Sequence, residues 1–239
     1  MPDTASLRDF VPSSRTRVRR RHDRGRYDRE TIYAILDAAL LCHVGYVIDG
    51  LPYVTPTLFW RGGERLYWHG SSASRMLRKQ STGIPVCVTV SHVDGLVVAR
   101  SGFHHSLNYR AVMAFGTAAM VADDATKTAA LNGFVERLYP GRNAQIRPIL
   151  PQELKATTLM SMVIDEASAK VRTGGPIDDE TDYALDCWAG VIPIQARVGA
   201  AIPDERLKPG VPLLDGLGDW VEGGLLPEIL SALARRETE

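Results

Sequence analysis

Between residues 42 and 164 the chain breaks into short apolar runs, rich in valine and threonine and punctuated by glycine and proline. Most of these runs are too short for an amphipathic helix, and the pairs Asp49-Gly50, Gly62-Gly63 and Asp94-Gly95 between them are hairpin turn chemistry. The pattern predicts antiparallel strands at 42–48, 53–59, 66–68, 85–92, 96–101, 111–121 and 159–164. Strands of that length and number in one chain suggest a barrel. Val86, Val88 and Val90 alternate with Cys87, Thr89 and Ser91, so one side of that strand should face a core. Pro56 cannot donate to a ladder, which places it at an edge or a bulge.

Helical spacing is found at two places beside the strands. Asp28 is a natural cap for a helix over 29–41, where Ile32, Ile35, Leu36 and Ala39 recur on one face. Leu131, Phe134, Val135 and Leu138 predict a second helix over 125–138, closed by Pro140-Gly141. Beyond Val171 the pattern dissolves into Arg172-Thr173-Gly174-Gly175-Pro176, an acidic stretch, and Trp188 to Pro193, which is too irregular to read as a strand. The tail over 219–236 contains one amphipathic helix, broken or kinked near Pro227. The expected architecture is mainly β with packed helices (α+β). It has a basic arm at 1–27, a central domain at 28–195 and a C-terminal extension at 196–239.

One stretch carries chemistry as well as structure. In Tyr67-Trp68-His69-Gly70-Ser71-Ser72-Ala73-Ser74-Arg75 a strand ends, turns at a glycine and starts a helix. A helix start leaves N–H groups unpaired and favours an anion. Ser71 or Ser72 is a natural cap, and Arg75, Arg78 and Lys79 share one helical face. A binding corner for a phosphorylated cofactor and a plainly capped surface helix both satisfy these residues.

Lysine plus arginine equals aspartate plus glutamate, 28 against 28, so overall charge argues for no nucleic-acid or membrane partner. No apolar run approaches the roughly 18 residues of a membrane span. The N-terminus lacks a signal-type apolar segment, so a cytoplasmic location is expected. Cys42, Cys87 and Cys187 stand singly in apolar contexts and read as buried thiols, without disulfide or zinc spacing. The run Arg15-Thr16-Arg17-Val18-Arg19-Arg20-Arg21 reads as a solvated or partner-packed arm. His43 and His92 lie in apolar strands as core or interface histidines. The pair His104-His105 lacks acid or cysteine partners at ligand spacing, so no metal is expected.

Four blocks of sequence resemble the pyridoxamine 5'-phosphate oxidase-like superfamily of FMN-binding split barrels, in its flavin-nucleotide-binding branch. They are Tyr53 to Phe59, Leu66 to Arg75, Ser106 to Ala118, and Lys170 to Pro176 together with Trp188 to Pro193. The resemblance implies an antiparallel Greek-key split β-barrel, homodimeric, with FMN in grooves at the subunit interface. By that resemblance Ser74 and Arg75, with Ser71 nearby, hold the FMN phosphate. The backbone of Thr55, Pro56 and Thr57 lies along the isoalloxazine ring, and His69 and Gly70 pass the ribityl chain. Asn108, Tyr109 and Arg110 enter the groove from the partner subunit, and Trp188 stacks near the flavin.

Trp60 stands where true pyridoxamine phosphate oxidases carry a substrate lysine, and their Arg-x-His motif is missing after Trp188. Vitamin B6 oxidation is therefore not expected. Tyr67-x-His69 with Tyr109 to Ala118 is similar to the 5-nitroimidazole reductases of the same superfamily, which makes His69 the candidate proton donor or substrate-positioning group. The expected function is a flavin-dependent oxidoreductase of a small, flat, possibly nitroaromatic or heterocyclic substrate, with NAD(P)H as a candidate reductant. The alternative is a non-catalytic FMN carrier or sensor. Haem and deazaflavin are disfavoured for want of a motif of their own.

Overall fold

The computed structural model describes residues 8–213 and 217–236. Among them nine strands form one antiparallel sheet. They are β1 (Gly25–Arg26), β2 (Leu41–Ile48), β3 (Leu51–Gly62), β4 (Arg65–Ser71), β5 (Ile84–Val98), β6 (Ser106–Met120), β7 (Thr157–Val163), β8 (Glu166–Arg172) and β9 (Gly190–Pro193). Five α-helices accompany them: α1 (Arg29–Asp37), α2 (Arg75–Gln80), α3 (Asp124–Leu138), α4 (Pro151–Ala156) and α5 (Leu226–Arg236). No helix among the described residues is long and apolar enough to cross a membrane.

The sheet curls shut. Its order runs β6-β7-β4-β3-β2-β5, and β5 pairs back with β6, so six strands close a ring; β8 and β1 extend from β6, and β9 from β5. Closure leaves few free strand edges. The inward positions of every second residue fill the ring, with Val44, Phe59, Leu66, Trp68, Val88, Val112, Met160 and Met162 essentially without solvent exposure. Val86, Val88 and Val90 all lie in this core, as their alternation predicts. Pro56 pairs only toward β2, because β4 pairs with β3 from Phe59 onward; the proline stands on an open edge.

Several local expectations give way to the tertiary structure. Asp94-Gly95 is not a hairpin turn; β5 runs through it as one strand, with a bulge between Val93 and Gly95. The bulge is held because Arg110 grips Asp94 from the paired strand, and Gly95 lets β9 approach closely. Gly190–Pro193, too irregular to read as a strand, pairs with β5 at that place. Glu166–Arg172 is a further strand, paired with β6.

Helix α1 begins as expected, Asp28 accepting from the Thr31 N–H at 2.8 Å, but it stops at Asp37 because Leu41 is already paired with Leu58. Pro227 begins α5 rather than breaking it, since a proline in the first turn removes no needed donor. Of the three thiols only Cys42 is buried; Cys87 is half-buried and Cys187 exposed in the irregular segment before β9.

Candidate functional site

The β4–α2 unit forms the strand-to-helix corner. Alternation along β4 sends Leu66 and Trp68 into the core and Tyr67 and His69 to the outer face. Gly70, expected as the turn, lies within β4 opposite Thr158, and the chain leaves the strand after Ser71; an added Cβ at Gly70 would lie 3.0 Å from Leu77 Cδ1, so glycine lets α2 sit close against the sheet. Ser74, not Ser71 or Ser72, is the N-cap; its hydroxyl accepts from the Leu77 N–H at 3.5 Å. Ser71 Oγ accepts from the Ala73 N–H at 3.2 Å. The Arg75 guanidinium lies over the Tyr53 ring, 5.6 Å from its centroid. Lys79 turns toward Asp49 at 3.9 Å. Helix α2 is short, so an anion here would be held by the Arg75 fork and the serine hydroxyls more than by a dipole.

On the inner face of β3, Thr55 Oγ1 and Tyr46 Oη are 3.0 Å apart, and Thr57 lies opposite Cys42. Pro56 faces outward and is exposed.

The outer face of β4 holds a different arrangement. His69 meets the Trp60 ring edge-on with centroids 6.0 Å apart, and Phe134 of α3 lies 6.1 Å from it. Trp60 is sandwiched between Tyr67 at 5.4 Å and Phe134 at 4.6 Å. His69 Nδ1 is buried with no hydrogen-bond partner among the described residues. Burial lowers the His69 pKa below its ordinary value, keeping the ring neutral. The ring opens into a cavity of about 450 Å³, walled by Leu131, Phe134, Val135, Ile146 and Ile149. At its rim Arg147 grips Glu153 through both guanidinium nitrogens, at 2.8 and 2.5 Å. The Arg147 side chain and the Leu150 N–H together push the Glu153 carboxyl down to about 2.

The remaining expected residues lie elsewhere in the chain. Asn108 is buried; its Oδ1 accepts from the Arg172 guanidinium and its Nδ2 donates to the Gly174 carbonyl at 3.1 Å. Arg110 is held by Asp94 at 2.9 and 2.8 Å and lines a cleft of about 740 Å³ against α5, distinct from the His69 cavity. Tyr109 pairs with Arg172 on one side and Val93 on the other. Trp188 is 64% exposed, its indole against Gly190. His105 Nδ1 bonds the Ser101 carbonyl at 2.7 Å, and His104 lies 3.5 Å from Asp179. Sequence reasoning passes over Arg147, Glu153 and the wall at 146–149, because an irregular loop has no periodicity to mark it.

An antiparallel β ring with a strand-to-helix corner defines the class, and the chain belongs to the pyridoxamine 5'-phosphate oxidase family: residues 28–171 match that family's profile. Two solved structures are similar over most of the chain. The flavocytochrome Anf3 from Azotobacter vinelandii is 48% identical, covers 90% of this chain and 100% of its own, and has a TM-score of 0.84. An FAD and haem binding protein from Mycobacterium smegmatis is 36% identical over 85% of this chain and 98% of its own, at a TM-score of 0.80. A 5-nitroimidazole antibiotic resistance protein from Bacteroides thetaiotaomicron shares the fold at 23% identity, covering 62% of this chain and 86% of its own, with a TM-score of 0.51. No curated protein matches.

Proposed function

We propose that the chain is a redox protein that holds a haem on His69 and a flavin with its phosphate at the Ser74–Arg75 corner. His69 carries the reading: a neutral imidazole with a buried, unpartnered nitrogen, opening into an apolar cavity with an arginine at the rim. Those meet two needs of a haem, a neutral imidazole for the iron and apolar walls for the macrocycle; Arg147 would serve its carboxylates on exchanging its partner Glu153. Leaving Nδ1 unsatisfied costs free energy that a partner arriving with the cofactor would offset. The sequence offers no haem motif because an axial histidine needs none when a helix and a loop distant in the chain supply the pocket.

Flavocytochrome Anf3 and the FAD and haem binding protein, the two similar relatives, support this pairing of cofactors. The corner sees only the phosphate beside the ribityl chain, which FMN and FAD share. We assign FAD in place of the FMN expected from sequence, following the description of the mycobacterial relative. A bound flavin exchanges electrons singly or in pairs, and a haem singly.

On this reading the haem is held from His69 on β4 and the flavin phosphate from the start of α2, with Trp60 and Phe134 packed beside His69. In this reading His69 is a ligand, not a proton donor, since its lowered pKa leaves it unprotonated at neutral pH. The closed six-strand ring supports the split-barrel reading, and the exposed apolar residues Val47, Val54, Leu107 and Met113 on its strands suit a second copy of the chain. A nicotinamide nucleotide is the reductant we propose. The nitroaromatic substrate has only a likeness of fold behind it.

The test is an absorbance spectrum of protein made with haem and riboflavin in supply. A Soret band together with flavin bands is expected. His69→Ala should lose the Soret band and keep the flavin. Full haem retention by that variant, or wild type without a Soret band, overturns the assignment.

A further inference from the structure

We infer that the arginine arm is a binding site for a phosphorylated small molecule of nucleotide size, held by its phosphates against Arg17 and Arg19. The arm is folded onto the sheet. Ser13 and Thr16 close a turn, with the Ser13 N–H donating to Thr16 Oγ1 at 2.8 Å and the Arg17 N–H to the Ser13 carbonyl at 3.1 Å. Ser13 Oγ and the Arg15 guanidinium both donate to Glu166 at the start of β8, and Arg15 lies over the Phe115 ring at 4.6 Å. Farther along, the Val18 N–H donates to Tyr27 Oη at 2.8 Å, and β1 pairs with β8.

Thr16 is 3% exposed and Val18 half-buried, and Arg15 turns to Glu166, while Arg17 and Arg19 are exposed. Glu166 neutralises Arg15. Among the described residues Arg17, Arg19 and Arg20 have no carboxylate partner, and Asp23, the only acid between residues 15 and 26, faces Arg21 at 3.3 Å. The local field is positive enough that, after burial, Arg24 and Arg21 are the next causes lowering the pKa of buried Arg172.

Arg17 and Arg19 line a recess of about 470 Å³ with Pro12, Ser13 and Ser14. Two guanidinium forks and the Ser14 hydroxyl are donors suited to phosphate oxygens. The volume lies within the range of small-molecule sites, about 300–1,000 Å³. Among the described residues no aromatic side chain lines it for a base to stack on, so a ligand here is held through its phosphates. The assignment stands independently of the haem and flavin reading.

Calorimetric titration of flavin-saturated full-length protein with inorganic pyrophosphate and with ADP tests it. Saturable binding of one ligand per chain is expected, weakened about tenfold or more in Arg17→Ala/Arg19→Ala and partly restored in Arg17→Lys/Arg19→Lys. Arg206→Ala, at an exposed arginine outside the arm, should leave it unchanged. An unaltered melting temperature in the variants confirms that the fold is intact. Absence of saturable binding, or equal affinity in the alanine double variant, overturns the inference. So does loss on Arg75→Ala alone, or binding to a duplex oligonucleotide without binding to pyrophosphate.

Discussion

His69 and Trp60 meet edge to face across neighbouring strands, their ring centroids 6.0 Å apart and their planes at 61°. Phe134 stacks on the same tryptophan at 4.6 Å and lies 6.1 Å from the His69 ring, so a helix residue holds the wall against which the histidine is fixed. Phe134→Ala should cost about 2 kcal/mol, less than the ~3–5 of a fully buried phenylalanine, because this ring is only partly buried. Urea midpoints of the apoprotein measure it, and if His69 ligates a haem as proposed, the variant should lose that haem more readily on dilution.

Arg75 and Arg78 separate a site from a diffuse basic face. Both are exposed, but Arg75 lies over the Tyr53 ring at the helix start, whereas Arg78 is one turn farther on. Arg75→Ala should release flavin during gel filtration and Arg78→Ala should retain it. Equal losses would show that the corner has no specific phosphate seat.

Asp37 joins three elements. Its carboxylate accepts from Arg61 at 3.0 and 2.5 Å and from Arg137 at 3.0 Å, with all three side chains at least 87% buried. Removing one partner of a buried charge network costs about 3–5 kcal/mol. Asp37→Ala should therefore lower the melting temperature more than any of the cavity variants, a ranking that thermal unfolding in parallel will check.

Gly116 lies where β6 passes β7. A Cβ there would stand 2.2 Å from the Val163 carbonyl oxygen and 2.7 Å from Met162 Cγ. Backbone cannot yield as a flexible side chain can, so Gly116→Ala should destabilise by about 3 kcal/mol or fail to accumulate as soluble protein. Gly102→Ala, with nothing within 4 Å of the added carbon, is the matched control.

Burial of His92 makes the fold sensitive to acid. Its Nε2 lies 3.0 Å from the Ile35 carbonyl. Burial lowers its pKa, opposed in part by that carbonyl and by Asp94 and reinforced by Arg110. The folded state thus binds a proton less readily than the unfolded chain. The contribution is complete above the ordinary histidine value of about 6.5 and declines as pH falls below it. His92→Gln, which keeps a donor but cannot titrate, should reduce the loss of urea stability between about pH 7.5 and pH 5.5.

The sequence by itself determined the elements whose cause is local. Val86, Val88 and Val90 place one side of a strand in the core because side chains alternate. Asp49-Gly50 makes its hairpin because both residues adopt positive φ, 52° and 78°. Asp28 caps its helix because its carboxylate reaches the Thr31 N–H. Arg75 could be singled out in the same way, from a strand, a glycine and a helix start in succession, whereas His69 stands out only through the family resemblance.

Only the tertiary structure decided what depends on partners distant in the chain. Arg110 turns Asp94-Gly95 from a turn into a bulge, and Gly190–Pro193 becomes a strand because β5 offers it an edge. The cavity at His69 exists because α3 and residues 146–149 fold over the outer face of β4. Local propensity and periodicity fix which way a side chain points along its own element. What it meets there is set by packing between segments far apart in the chain, which no local pattern encodes.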